Sequence, residues 1–154
     1  MKVVIQRVSR AQISDPSLPN KKIASIGKGM LILAAFEEND TPVSIELLTR
    51  KIKSLRIFQD GEGKMNVSGQ EVNAEYLLVS QFTLYAECKY GNRPSFDKAA
   101  PKLKAKEYYD HFVHSCSRIM GPNLVKHGTF GSDLDVELTN DGPVTISLDS
   151  REVL

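Results

Sequence analysis

The chain has 154 residues, 41% apolar and 25% charged, with a formal net charge of +1 at pH 7. That balance fits one ordinary globular domain, residues 1–154, large enough to bury a core without staples, and it does not advertise a nucleic-acid binder. No apolar run approaches the ~20 residues that span a bilayer, and two cysteines, Cys88 and Cys116, make neither a disulfide framework nor a metal knuckle.

In chain order, residues 2–9 read as a strand, with no cleavable leader before it. Ser14 to Asn20 carries two prolines and no apolar period, which predicts a mobile loop. Strands are expected at Ile23–Ile26 and Met30–Phe36. Thr41-Pro42 should open a helix, as N-cap and first helical residue, whose buried face is Val43, Leu47, Leu48, Ile52 and Leu55. Gln59 to Gly63 is a turn. Tyr76-Leu77-Leu78-Val79 is a buried strand running straight into Ser80. Pro101 opens a second helix that reaches about Ile119 before Gly121-Pro122 stops it, with Tyr108, Phe112 and Ile119 as its apolar stripe. Alternation at 134–138 and again at 144–148 predicts two half-buried strands around an Asn-Asp-Gly-Pro turn. The elements add up to an α+β fold.

Cationic clusters at Arg50, Lys51, Lys53 and Arg56, and at Lys98, Lys102, Lys104 and Lys106, read as solvated helix faces. His111 and His114 stand three apart on the second helix, but without a nearby carboxylate or cysteine partner they predict no metal. Ser80, Gln81 and Thr83 bring polar side chains to the end of a buried strand. Strand ends are often polar, so spacing alone does not mark catalysis. Thr83 as a nucleophile would need a base, and none of the three histidines, His111, His114 and His127, lies in this segment.

Four motifs decide the matter together. They are Gln6-Arg7-Val8-Ser9-Arg10-Ala11; Arg56-Ile57-Phe58 with Gly63-Lys64-Met65-Asn66; Ser80-Gln81-Phe82-Thr83-Leu84 continuing to Gly91-Asn92-Arg93-Pro94-Ser95-Phe96; and Asn140-Asp141-Gly142-Pro143-Val144-Thr145. In this order they resemble the D-aminoacyl-tRNA deacylases, from Met1 to about Ser150. The resemblance implies antiparallel β-sheets forming a barrel-like core with two main helices packed outside. It implies hydrolysis of the ester of D-aminoacyl-tRNA and glycyl-tRNA in the cytoplasm, with no cofactor, no metal and no membrane.

By the same resemblance Ser80, Gln81, Phe82 and Thr83 are the catalytic residues. A cis Gly142-Pro143 rejects L-substrates and enters the active site of a partner subunit in a homodimer. Arg7 braces that turn through its carbonyls, and Asn92, Arg93 and Pro94 contact the tRNA. The SQ-x-T-L form, with no proline leading it, favours the chirality-checking enzyme over its relaxed animal paralogue. Without a base, a hydroxyl of the substrate's own ribose should help activate water, while Thr83 positions and the backbone N–H groups near Phe82 and Thr83 hold the oxyanion. The alternative is a non-enzymatic nucleic-acid-binding protein on the same fold. Such relatives carry a C-terminal tail that is not expected here, since the sequence ends at Leu154.

Overall fold

The computed structural model describes residues 1–18 and 21–153. In chain order it contains β1 (Lys2–Ser14), β2 (Lys22–Ile26), β3 (Gly29–Ala35), α1 (Pro42–Ser54), β4 (Phe58–Gln59), β5 (Met65–Val67) and β6 (Glu75–Ser80). A 3₁₀ turn (Phe82–Tyr85), α2 (Lys102–Met120), β7 (Val125–His127), β8 (Asp135–Asp149) and α3 (Ser150–Val153) follow.

Strand β1 organises the sheet. One edge pairs with β3 over Lys2–Val8 and with β2 over Ala11–Ser14, both antiparallel, while the other edge pairs with β8 along nearly its whole length. Beyond β3 the pairing turns parallel, to β6 and then β7. The sheet is therefore mixed, and it curls into a barrel-like form. Gly29 sets the join between β3 and β6: a Cβ there would stand 1.9 Å from the carbonyl oxygen of Glu75.

Strand β1 runs five residues past its predicted end because it changes face midway. Val3 and Ile5 pack in the cluster shared with the helices, whereas Val8, Ala11 and Ile13 pack in a second cluster with Leu31, Leu77 and Val79. Between Val8 and Arg10 the register to β8 slips, leaving Ser9 as an extra residue. Such a bulge shifts the two-residue alternation by one, so the apolar period breaks while the strand continues.

Both helices start where expected. Thr41 caps α1 and forms a reciprocal capping pair with Ser44, with Pro42 in the first turn. The buried face of α1 differs from the expected one: Ile45, Leu48, Thr49 and Ile52 face inward, while Val43 and Leu47 are 68% and 47% exposed. Thr49 qualifies as a core residue because its hydroxyl donates to the Ile45 carbonyl at 2.8 Å. In α2 the stripe is Ala105, Tyr109, Phe112, Cys116 and Met120, with Tyr108 and Ile119 at its margins, and Gly121 ends the helix at φ 115°.

The Asn-Asp-Gly-Pro segment is not a chain reversal. Residues 135–149 form one strand, and both halves pair antiparallel with β1. Gln6 pairs with Thr145 and Val8 with Asn140, so the four residues Asp141–Val144 stand opposite Arg7 alone and are pushed out of the ladder. The predicted turn at 59–63 does reverse the chain, between β4 and β5. The predicted loop at 14–20 includes Pro19 and Asn20, which lie outside the described residues. Its first part is a turn in which the Leu18 N–H donates to the Asp15 carbonyl at 3.1 Å. The buried N-terminal ammonium of Met1 donates to Asp40 and to the Ser150 hydroxyl, tying the start of β1 to the end of β8.

Candidate active site

The first constellation forms where β6 leaves the sheet. The Gln81 N–H still donates to the Ala34 carbonyl at 2.7 Å, and the backbone then tightens into the 3₁₀ turn. The first N–H groups of such a turn have no carbonyl partner within it, which leaves the amides of Phe82 and Thr83 available at an exposed position. The Gln81 side-chain amide donates to the Thr83 hydroxyl at 2.6 Å. A carboxamide is no base, so this contact orients Thr83 without activating it. Beneath the turn, Tyr85 is buried, and its hydroxyl has no hydrogen-bond partner among the described residues. Burial, reinforced by the Asp40, Glu37 and Asp149 carboxylates, pushes that phenol well above its ordinary pKa. It stays protonated and supplies no base either. Two of the histidines lie on α2 and the third on β7, where His127 Nδ1 is 3.2 Å from the Gly128 carbonyl.

Phe82, 57% exposed, meets the ring of Phe96 edge-on at 5.0 Å between centroids. Phe96 ends a loop pinned at its base by paired backbone hydrogen bonds between Glu87 and Ser95, at 2.8 and 3.0 Å. Asn92, Arg93 and Pro94 are exposed on that loop. It therefore belongs to the same constellation as Ser80, Gln81 and Thr83.

The second constellation is the four-residue excursion of β8. The Gly142-Pro143 peptide is cis, Gly142 has φ 138°, and both residues are exposed. A Cβ at Gly142 would stand 2.9 Å from Val144 atoms and 3.1 Å from Arg7 Nη2. Arg7 is only 4% exposed. Its Nε donates to the Asp141 carbonyl at 2.8 Å and its Nη1 to the Ile57 carbonyl at 2.5 Å, with the Asp141 carboxylate 3.4 Å from Nε. The brace thus grips the residue before Gly142 and ties it to the segment joining α1 and β4. That contact gives the Arg56-Ile57-Phe58 motif a structural purpose.

The two constellations do not meet within the chain. Ser80 pairs with Ala34, Ala34 with Val3 and Val3 with Leu148. Arg7 is four residues along β1 from Val3, about 13 Å at the usual strand rise. Gly142-Pro143 is also three strands around the sheet from Ser80.

A family model described as D-Tyr-tRNA(Tyr) deacylase matches residues 4–149. The chain belongs to this family. A D-aminoacyl-tRNA deacylase of Porphyromonas gingivalis is 47% identical over 151 residues, covering 98% of both chains. One of Thermosipho africanus is 44% identical over 154 residues and covers 99% of each. Among solved structures, a c-Myc DNA unwinding element binding protein superposes with TM-score 0.88 at 39% identity, over 97% of this chain and 98% of that one. A probable eukaryotic D-amino acid tRNA deacylase superposes with TM-score 0.81 at 19% identity, over 96% and 97%, a likeness of fold.

Sequence reasoning passed over several residues that shape these two constellations. Tyr85 lies just past the Ser80-Gln81-Phe82-Thr83-Leu84 motif and carries no predicted role, yet it is buried at the end of the 3₁₀ turn. Phe96 reads in the sequence only as the end of a motif, although its ring meets that of Phe82. Asp141 supplies the carbonyl that Arg7 grips. The signal for Tyr85 is its place directly after an apolar Leu84 in a turn that must bury something. No signal could have located the Asp141 carbonyl, because a backbone acceptor has no sequence signature.

Proposed function

We propose that the protein hydrolyses the ester joining a D-amino acid, or glycine, to the terminal ribose of tRNA, and leaves L-aminoacyl-tRNA intact. Water adds to the ester carbonyl, and the N–H groups of Phe82 and Thr83 receive the developing oxyanion. The neighbouring ribose hydroxyl assists the attacking water. The acyl–oxygen bond then breaks, releasing the free amino acid and a tRNA with its 3′-hydroxyl restored. Ser80 and Gln81 shape the turn, Thr83 positions the substrate, and Asn92, Arg93 and Pro94 contact the tRNA.

The observation that carries this reading is the exposed, braced backbone at Gly142-Pro143. Backbone carbonyls on a fixed frame can hold an α-amino group and meet the wrong enantiomer's side chain with a wall that does not relax. Glycine has no side chain to reject. Because this frame lies far around the sheet from Ser80 of the same chain, it completes the pocket of a second copy, and the working unit is a homodimer. A substrate of translation places the enzyme in the cytoplasm.

The test is hydrolysis of matched D- and L-tyrosyl-tRNA, with glycyl-tRNA alongside. D-tyrosyl and glycyl esters should be cleaved and the L-ester spared; comparable rates for both enantiomers would sink the chiral filter. The similarity to a DNA-unwinding-element binding protein favours a second reading, nucleic-acid binding without catalysis. Tight tRNA binding with no cleavage of any ester would select it.

A further inference from the structure

The loop that leaves the 3₁₀ turn carries a feature that the catalytic reading does not use. Tyr90, at its tip, is 82% exposed, whereas Tyr76, Tyr85 and Tyr109 are buried and Tyr108 half-buried. Lys89 Nζ lies 5.2 Å over the Tyr90 ring centroid. Between Cys88 and Pro94 the tip holds two cations, Lys89 and Arg93, and no acidic residue. Among the described residues neither cation has a carboxylate within the 4.0 Å of an ion pair. Among the described residues other cations, such as Lys51, Lys102 and Lys126, are likewise without an ion pair, and what sets this tip apart is the exposed ring between two of them.

The base of the loop is held firmly. Glu87 and Ser95 exchange backbone hydrogen bonds, Lys98 reaches the Glu87 carboxylate at 2.7 Å, and that carboxylate also accepts the Lys89 N–H at 3.0 Å. Both acids at the base are thereby occupied there, Asp97 by the Ser95 hydroxyl that donates to it at 2.6 Å. Gly91, at φ 91°, reverses the chain at the tip. A rigid stem thus presents an aromatic face between two unpaired cations. Five residues lie between Tyr90 and Phe96, so the chain holds the tip within roughly 20 Å of the residue that supports Phe82.

We infer that Tyr90 is a stacking platform for an unpaired base near the 3′ end of the RNA substrate, with Lys89 and Arg93 on the adjoining phosphates. The inference rests on the reading of the substrate as an RNA ester and extends it to a contact outside the reacting atoms. Base stacking on an aromatic ring accepts any base, and phosphate contacts carry no sequence. The device therefore suits an enzyme that acts on many tRNAs through their common end. An acidic protein segment would satisfy the cations but gives Tyr90 no partner for its face.

The experiment uses an eight-nucleotide single-stranded RNA with a free 3′-hydroxyl. The chain has no tryptophan, so Tyr90→Trp places a single fluorescent reporter at the tip. The RNA should quench it saturably, and Tyr90→Ala should weaken binding of the same RNA roughly tenfold by anisotropy, with Tyr90→Phe within about twofold. Lys89→Ala should lower the slope of log affinity against log salt by about 0.7, the value for one phosphate on a single strand. Unaltered fluorescence, or equal binding by Tyr90→Ala, overturns the inference; so does quenching by an acidic peptide in place of RNA. The probe carries no ester, so the result is separate from catalysis. D-tyrosyl-tRNA cleavage without stacking overturns only Tyr90, and stacking without cleavage overturns only the hydrolase reading.

Discussion

The turn after β6 and the excursion of β8 are both exposed and both built from backbone, yet they are fixed in opposite ways. The 3₁₀ turn is held from below, by burial of Tyr85 and by the Gln81 N–H on β3, and its polar side chains touch mainly one another. The excursion is held from inside, by a single buried guanidinium that spans two carbonyls from separate segments. The difference teaches where tolerance lies. Side chains in the turn should be replaceable at modest cost to the fold, whereas the excursion depends on one residue that nothing else replaces.

The largest effect is expected at Arg7. Arg7→Ala leaves the Asp141 and Ile57 carbonyls without their donor and should cost about 3 kcal/mol, read from the denaturant midpoint. Arg7→Lys should not restore it, because an ammonium cannot span two divergent acceptors as a planar fork does. An Arg7→Ala protein of native stability would break the comparison. Next comes Gly142→Ala, which combines a positive φ with a Cβ in contact at 2.9 Å. A loss of about 2 kcal/mol and of D-over-L selectivity is expected, in thermal melts and in paired deacylation assays.

A smaller effect concerns the strand end nearest the turn. The Arg151 guanidinium beside Asp149 holds its carboxyl well down, to about 2, against an ordinary value near 4. A depressed pKa contributes stability that is complete above the unfolded value and lost as pH falls from about 4 through about 2. Arg151 is largely exposed, so screening reduces the contribution to about 1 kcal/mol. Asp149→Asn should remove that part of the acid-limb slope in pH-dependent unfolding. An unchanged slope would show that the pair does not stabilise the fold. The smallest effect is expected at Thr83. Thr83→Ala should change stability by less than about 0.5 kcal/mol and retain substantial activity, while a substrate lacking the 2′-hydroxyl, with 3′ attachment confirmed, is cleaved poorly. A dead variant with an unaffected deoxy substrate would restore Thr83 as nucleophile.

What was legible in the sequence follows the same division. Both helix starts, the buried strand before Ser80 and the alternation of β8 depend on local chemistry, and each was readable from caps or periods. The bulge at Ser9 was not, because a register slip erases the period that announces a strand; β1 consequently read as ending at 9. The Asn-Asp-Gly-Pro segment carries every local signal of a turn, and only its pairing partner on both sides, β1, makes it an excursion from one strand. On α1, Val43 and Leu47 lie close enough to the helical period to pass for core, while Ile45 and Thr49 were missed. Of the candidate site, the motifs contain the residues of both constellations, but the places of Tyr85, Phe96 and the Asp141 carbonyl come from the fold, and the distance between the two constellations is a property of strand order alone.

That distance makes the shared pocket the central claim, and subunit mixing tests it most directly. A Gly142→Val chain has a disturbed excursion and an intact loop; an Arg93→Ala chain has the reverse. If each pocket takes its loop from one subunit and its excursion from the other, heterodimers contain one pocket with both parts intact. Exchange of the two proteins, verified by native mass spectrometry, should then yield D-tyrosyl-tRNA cleavage above either parent at limiting substrate. A fully active monomer, or a proven heterodimer no more active than its parents, would contradict the account.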